Sequence, residues 1–202
     1  MRHTGPSGKR ARRLGQAFTE KQAKVLRRRQ GPPGVHADSR GRLSEFGIQL
    51  KEKQKAKFAY GVLEKQFFNY FQKAQTQPGV TGTNLLKLLE QRLDNVVYRL
   101  GFAETRAQAR QLVSHGFFQV NGRKVTIPSI SVRVGDTISV GTTKAKTKYM
   151  QTVKDKMKAT TPPDWLDLQV ADLKAKVLSQ PTTDDMDKAI NTQLIIEHYS
   201  RI

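Results

Sequence analysis

Arg106 and Arg110 stand four residues apart behind Thr105, which reads as a helix cap, so both guanidinium groups share one face of a short helix. Side chains of this type in this placement hold anionic oxygens. The same chemistry recurs upstream in the triplet Arg27-Arg28-Arg29. It recurs again in Lys51, Lys53, Lys55 and Lys57, whose alternating spacing fans around a helix. The 202 residues include 36 Lys plus Arg against 17 Asp plus Glu, a formal charge of +19. Such a chain repels itself unless a polyanion is at hand. Nucleic acid is the leading partner class. An anionic membrane surface stands behind it, disfavoured because the basic segments lack an apolar face to insert.

Chemistry of other kinds does not assemble. His3, His36, His115 and His198 show no metal-ligand spacing, and with no cysteine there are no thiolate sites, disulfides or cysteine nucleophiles. Asp184, Asp185 and Asp187 read as a surface turn or helix cap rather than a cation site. Gly5 to Arg10 lacks the spacing of a phosphate loop, and no buried strand precedes it. The expectation is a non-enzyme without cofactor or metal. No run approaches the ~20 apolar residues of a membrane span.

The charge is segmental. Residues 1–60 carry +12, residues 61–90 +1, residues 91–140 +4, residues 141–158 +5 and residues 159–202 −3. The first 43 residues are rich in Gly, Pro and Arg, with a short helix expected over about 20–29 capped by Thr19 with Gln22. A disordered basic tail and a transit peptide are alternatives there; the reading taken is an arm that orders against phosphate. From Ser44 to about Lys73 the pattern is helical, divided near Gly61. Leu63, Phe67, Tyr70 and Phe71 form a stripe read as core rather than as a base-stacking platform. Pro78 to Gly82 marks a loop.

An amphipathic helix is expected from about Asn84 to Leu100, with Leu85, Leu86, Leu89, Leu93, Val96, Val97 and Leu100 on its apolar stripe. A second, capped by Thr105 with Gln108, ends at Gly116. Asn121-Gly122 predicts a type I′ hairpin between 117–120 and 123–127. A further strand pair is expected at 132–134 and 137–140. The fold class is α+β: a helical first domain, an inserted module of two helices and a small twisted β-sheet, and a basic N-terminal extension.

Residues 91–140 carry a resemblance. Gln91-Arg92-Leu93-Asp94-Asn95-Val96-Val97-Tyr98-Arg99-Leu100-Gly101-Phe102-Ala103, then Thr105 through Gly116, Val120-Asn121-Gly122-Arg123-Lys124-Val125 and Val134-Gly135-Asp136, are similar to an RNA-binding module. It is the one named after small-subunit ribosomal protein four. That module also occurs in pseudouridine synthases, some tyrosyl-tRNA synthetases and small heat-shock RNA binders. The rest of the chain separates these. Thr4-Gly5-Pro6, Pro32-Pro33-Gly34 with His36, Leu50 through Lys55, Tyr60 through Phe67 with Tyr70-Phe71, Pro163 with Trp165-Leu166, and Asn191 through Arg201 resemble the small ribosomal subunit protein four family. The likeness is to its bacterial or organellar type and is weakest over about 141–185.

The resemblance implies direct binding to small-subunit ribosomal RNA at a junction in its five-prime domain, early enough to nucleate assembly. It also implies small ribosomal subunit protein five as neighbour and mRNA nearby, at the channel by which it enters, with the protein cytoplasmic or in an organellar ribosome. Its domain plan is a basic extension over 1–43, a helical domain over 44–90 completed by about 180–202, and the module with its β extension over 91–179. Some family members bind zinc through four N-terminal cysteines, which this chain lacks. Ala175 before Lys176-Val177, and Pro181-Thr182-Thr183-Asp184-Asp185, also depart from the family pattern.

A-form RNA hides its base edges in a deep major groove, so positive charge shaped to phosphate must carry such binding. The expected RNA-binding residues are Arg10, Arg12, Arg13, Arg27, Arg28, Arg29, Arg40, Arg42, Lys51, Lys53 and Lys55. On the module they are Arg92, Arg106, Arg110, His115 and Lys124. Leu93, Val96, Val97, Leu112 and Val113 are assigned to core.

Overall fold

The structure is a computed structural model that describes residues 5–29, 31–35, 43–157, 160–187 and 189–201. It divides into two compact units, one formed by the chain up to Gly82 together with the returning C-terminal segment, the other by Thr83–Asp187.

The first unit is helical. α1 (Ser7–Leu14), α2 (Glu20–Arg28), α3 (Glu45–Ala59), α4 (Glu64–Thr76), the start of α5 (Thr81–Glu90), and α10 (Thr192–Ser200) compose it. The Thr19 hydroxyl accepts from the Gln22 amide at 3.3 Å while the Gln22 side chain accepts from Phe18 N at 2.7 Å, the reciprocal cap that starts α2. α1 lies where the sequence pattern offered no helix. Its two buried residues, Ala11 and Leu14, are too few for an amphipathic signal, and it is held by packing on α2 and α3. Gly61 adopts φ +64 and separates α3 from α4, as its position between two helical patterns predicted.

Phe67 and Phe71 are fully enclosed, consistent with a core stripe, and the Tyr199 ring of α10 packs on Phe71 at 4.6 Å. α10 reaches α3 through polar contacts as well. Asn191 N donates to Glu52 Oε1 at 2.7 Å, and Gln49 Nε2 to Glu197 Oε2 at 3.0 Å.

The second unit layers helices on a sheet. α6 (Leu93–Arg99), α7 (Arg106–Ser114), α8 (Thr142–Ala145) and α9 (Lys148–Met157) accompany β1 (Phe118–Val120), β2 (Arg123–Val125), β3 (Thr137–Val140), β4 (Leu166–Gln169) and β5 (Lys174–Val177). Every pairing is antiparallel, in the order β2-β1-β3-β5-β4. Phe118, Ile138, Val140, Ala175 and Val177 face one side, where they share a core with Leu93, Val96, Val97, Leu112, Val113 and Trp165. Alternation then sends Gln119, Lys124, Thr137, Ser139, Lys174 and Lys176 to the other side.

Two expectations change. The helix foreseen over 84–100 breaks at Gln91-Arg92, because the loop after β2 docks there: Val132 N donates to Gln91 O, and Leu93 N to Ile130 O. The pair foreseen between 132–134 and 137–140 does not form. Asp136 Oδ2 instead accepts from Arg133 N in a tight turn, while Asn121 clasps Asp136 and Thr137. The partners of β3 are β1 and the distant β5. The Asn121-Gly122 hairpin forms as read, both residues having positive φ.

Candidate nucleic-acid interface

Four guanidinium groups of the second unit, those of Arg92, Arg99, Arg106 and Arg110, are placed by two buried acids, directly or through Asn95. Glu90, fully enclosed at the end of α5, accepts two hydrogen bonds from Arg99, Nη2 to Oε1 at 2.7 Å and Nε to Oε2 at 3.0 Å. The Asn95 amide donates to the same Oε2 at 2.7 Å, and its own oxygen accepts from Arg106 Nε at 2.7 Å. Glu90 thereby orients Arg106, two links away. Asp94, also buried, takes a bidentate contact from Arg92 at 2.8 and 3.1 Å and lies 3.7 Å from Arg110 Nη1. Four arginines are ordered by two carboxylates and one amide, a fork geometry that fits phosphate oxygens wherever it stays accessible.

Accessibility divides the four. Arg99 and Arg110 keep about a quarter of their side chains exposed, 25% and 29%, and Arg106 lies half-buried over the Tyr98 ring at 4.8 Å. Arg92 is enclosed, its side chain 4% exposed, and its charge goes to Asp94. His115 caps α7 at the surface, and Lys124 is exposed on β2. Gly116, at φ +67, sits under the Lys124 stem, where any Cβ would collide with Lys124 Cε.

In the first unit the expected basic residues fall into three situations. Arg13, Arg27, Arg28 and Arg29 are exposed. Arg12 clamps the following loop, donating to Gly31 O at 2.9 Å and Pro32 O at 3.0 Å. Arg10 donates to Gly5 O and stacks over Phe58, where burial lowers its pKa from the usual guanidinium value. Lys51 is half-buried; Lys53 lies 2.7 Å from Glu64 and Lys55 2.7 Å from Glu52. Arg40 and Arg42 lie outside the described residues.

Glu64 is the hub of that unit. Partial burial pushes its carboxyl up. Hydrogen bonds from Lys53, Lys57 and Tyr199, with the Lys53 charge, outweigh this and hold it at about 2. The enclosed His198, against Phe46, has its pKa lowered by burial and by Lys53, with Glu64 opposing.

Sequence reasoning named Arg92, Arg106 and Arg110 but not Glu90, Asp94, Asn95 or Arg99. A signal existed for two of them: Asp94 and Asn95 interrupt the buried side of an otherwise apolar stripe. The acidic run at 184–187 includes a turn, with Asp185 Oδ2 accepting from Thr182 N at 2.8 Å and from its hydroxyl at 2.7 Å.

A helix pair and small antiparallel sheet presenting ordered arginines, joined to a helical unit, define an S4-domain class of protein. Comparison agrees: residues 91–138 match the S4 domain, and residues 2–90 match the ribosomal protein S4/S9 N-terminal domain. The chain is 54% identical to small ribosomal subunit protein uS4 of Roseiflexus castenholzii, 52% to that of Chloroflexus aurantiacus and 47% to that of Desulforamulus reducens. Each alignment covers 99% of both chains. The chain belongs to the small ribosomal subunit protein uS4 family, a family of structural ribosomal proteins and not of enzymes.

Proposed function

We propose that the chain binds small-subunit ribosomal RNA directly, as a constituent of the cytoplasmic small ribosomal subunit, with Arg99, Arg106 and Arg110 as its ordered phosphate contacts. The Glu90–Asn95–Arg106 relay carries this reading, because a buried acid spent on orienting a half-exposed arginine has little use in a fold that only needs to pack. Arg92 acts in it as a positioning residue, fixing Asp94 beside Arg110. The exposed Arg13 and Arg27–Arg29, with His115 and Lys124, add contacts around this centre. Lys53 and Lys55, paired to Glu64 and Glu52, serve the packing of the helical unit first.

Family membership supports a finer role as part of this proposal. The chain engages a junction of helices in the five-prime domain, nucleates assembly there, and lies beside small ribosomal subunit protein five near the channel by which mRNA enters. Binding of the full chain to a five-prime-domain fragment and to a length-matched duplex, across a salt series, tests it. The junction should bind more tightly at moderate salt, and equal affinities would count against the proposal. Replacing Arg106 and Arg110 together with Gln should reduce the salt slope by about 1.5, since each phosphate contact contributes ~0.7–0.9. An unchanged slope would remove both from the interface.

A further inference from the structure

The face of the second unit's sheet that turns away from its core is a row of polar side chains. Register places Lys124, Gln119, Ser139, Lys174 and Gln169 side by side across all five strands. With strands about 4.8 Å apart, Lys124 and Lys174 stand roughly 14 Å from one another, too far to grip one small anion and suited to a length of backbone. At the Lys124 end the row opens into a cleft of about 300 Å³ shared with Thr142, Thr143 and Lys144. The Lys144 ammonium sits 4.9 Å over the Phe117 ring. Gly116 keeps the floor of the cleft clear, because a side chain there would drive the Lys124 stem out.

Charge decides the occupant. Lys124, Lys144 and Lys174 have no acidic partner among the described residues. The acid in the strand register on this face is Asp167, directly opposite Lys176, where cross-strand pairing offsets that charge alone. Two of the three unpaired lysines, Lys144 and Lys174, fall beyond the residues that match the S4 domain. They come from α8 and β5, which extend the sheet and its rim.

We infer that this open sheet face is a second RNA-backbone surface, separated from the arginine group by the core of the unit, so that one unit holds two different stretches of RNA. The inference rests on the proposed ribosomal RNA binding and adds a second contact to it. The hydroxyls of Ser139, Thr142 and Thr143 and the Gln119 amide supply neutral donors between the lysines, as sugar and phosphate oxygens require.

Hydroxyl-radical footprinting of the full chain on intact small-subunit ribosomal RNA tests it, with three variants: Lys124→Gln/Lys144→Gln/Lys174→Gln, Arg106→Gln/Arg110→Gln, and Asp167→Asn. The lysine variant should bind at least about tenfold more weakly at 0.1 M salt, with a slope lower by about two. It should lose protection at nucleotides distinct from those lost by the arginine variant. Asp167→Asn, which leaves every lysine in place, should tighten binding several-fold. Loss of the same nucleotides in both multiple variants, or a lysine variant that binds like the parent, overturns the second surface while leaving the first intact. If the parent chain protects no nucleotide, both proposals fall together.

Discussion

At the scale of single residues, the arginine group depends more on its anchors than on its arginines. Asn95 is the joint, donating to Glu90 and accepting from Arg106. Asn95→Ala leaves Glu90 with Arg99 and removes the link that orients Arg106, which keeps its stacking on Tyr98, so RNA affinity should fall several-fold. Stability should drop by about 1–3 kcal/mol, the cost of stripping partners from buried polar groups. Parallel urea titrations and filter binding check this; a stability loss with unchanged affinity would make Asn95 a packing residue only. Glu90→Ala removes the enclosed carboxylate under Arg99. Because Arg99 retains some exposure, the expected loss is about 2–3 kcal/mol, at or below the ~3–5 of a fully buried pair. Type and spacing singled out Arg92, Arg106 and Arg110 as candidates but not Arg99. Glu90 was not singled out, since an acid that serves by ordering a base looks in sequence like a solvated charge or a helix cap, and Asp94 showed only as a polar break in an apolar stripe.

At the scale of elements, local signals carried α2, α3, α4, α7 and the hairpin, whereas α1, α8, α9 and α10 were not foreseen and non-local pairing hid the outer strands. Thr19 and Thr105 start α2 and α7 through contacts within four residues, so a cap reads out in sequence. β3 and β5 pair across more than thirty residues, and β5 reads as alternating Lys and small apolar residues too short to declare itself. The break between α5 and α6 was hidden for the same reason, because the loop that enforces it arrives from residues 128–132. Gly116 joins both kinds of constraint. Its φ of +67 terminates α7, and its missing side chain admits Lys124. Gly116→Ala should therefore cost about 1–2 kcal/mol for the left-handed backbone alone, plus whatever displacing Lys124 adds. Chemical denaturation measures the first. A lower salt slope for RNA binding reports the second, and a substitution that shifts neither would place Gly116 outside both roles.

At the scale of the whole molecule, the two units should answer acid differently, and the chain supplies its own reporter. Its single tryptophan, Trp165, is buried in the second unit, whereas Glu64 and His198 belong to the first. His198 has a folded pKa below its ordinary value of 6.5, so below that pH the unfolded chain binds the proton more readily. Stability of the first unit falls as pH drops through this range. Glu64 has a folded pKa of about 2 against 4.5 when free, so its contribution is complete above 4.5 and is lost as pH falls from there toward 2. Thermal melts of the full chain from pH 8 to pH 2, followed by far-ultraviolet circular dichroism and by tryptophan fluorescence, separate the units. The helical signal should begin its acid decline below pH 6.5 while the Trp165 transition holds. In His198→Gln this first decline should vanish while the lower step persists. In Glu64→Gln the lower step should shrink, leaving a chain less stable at neutral pH because Lys53 and Lys57 have lost their carboxylate. Acid sensitivity that moves both signals together in every variant would mean that these groups do not control the first unit separately.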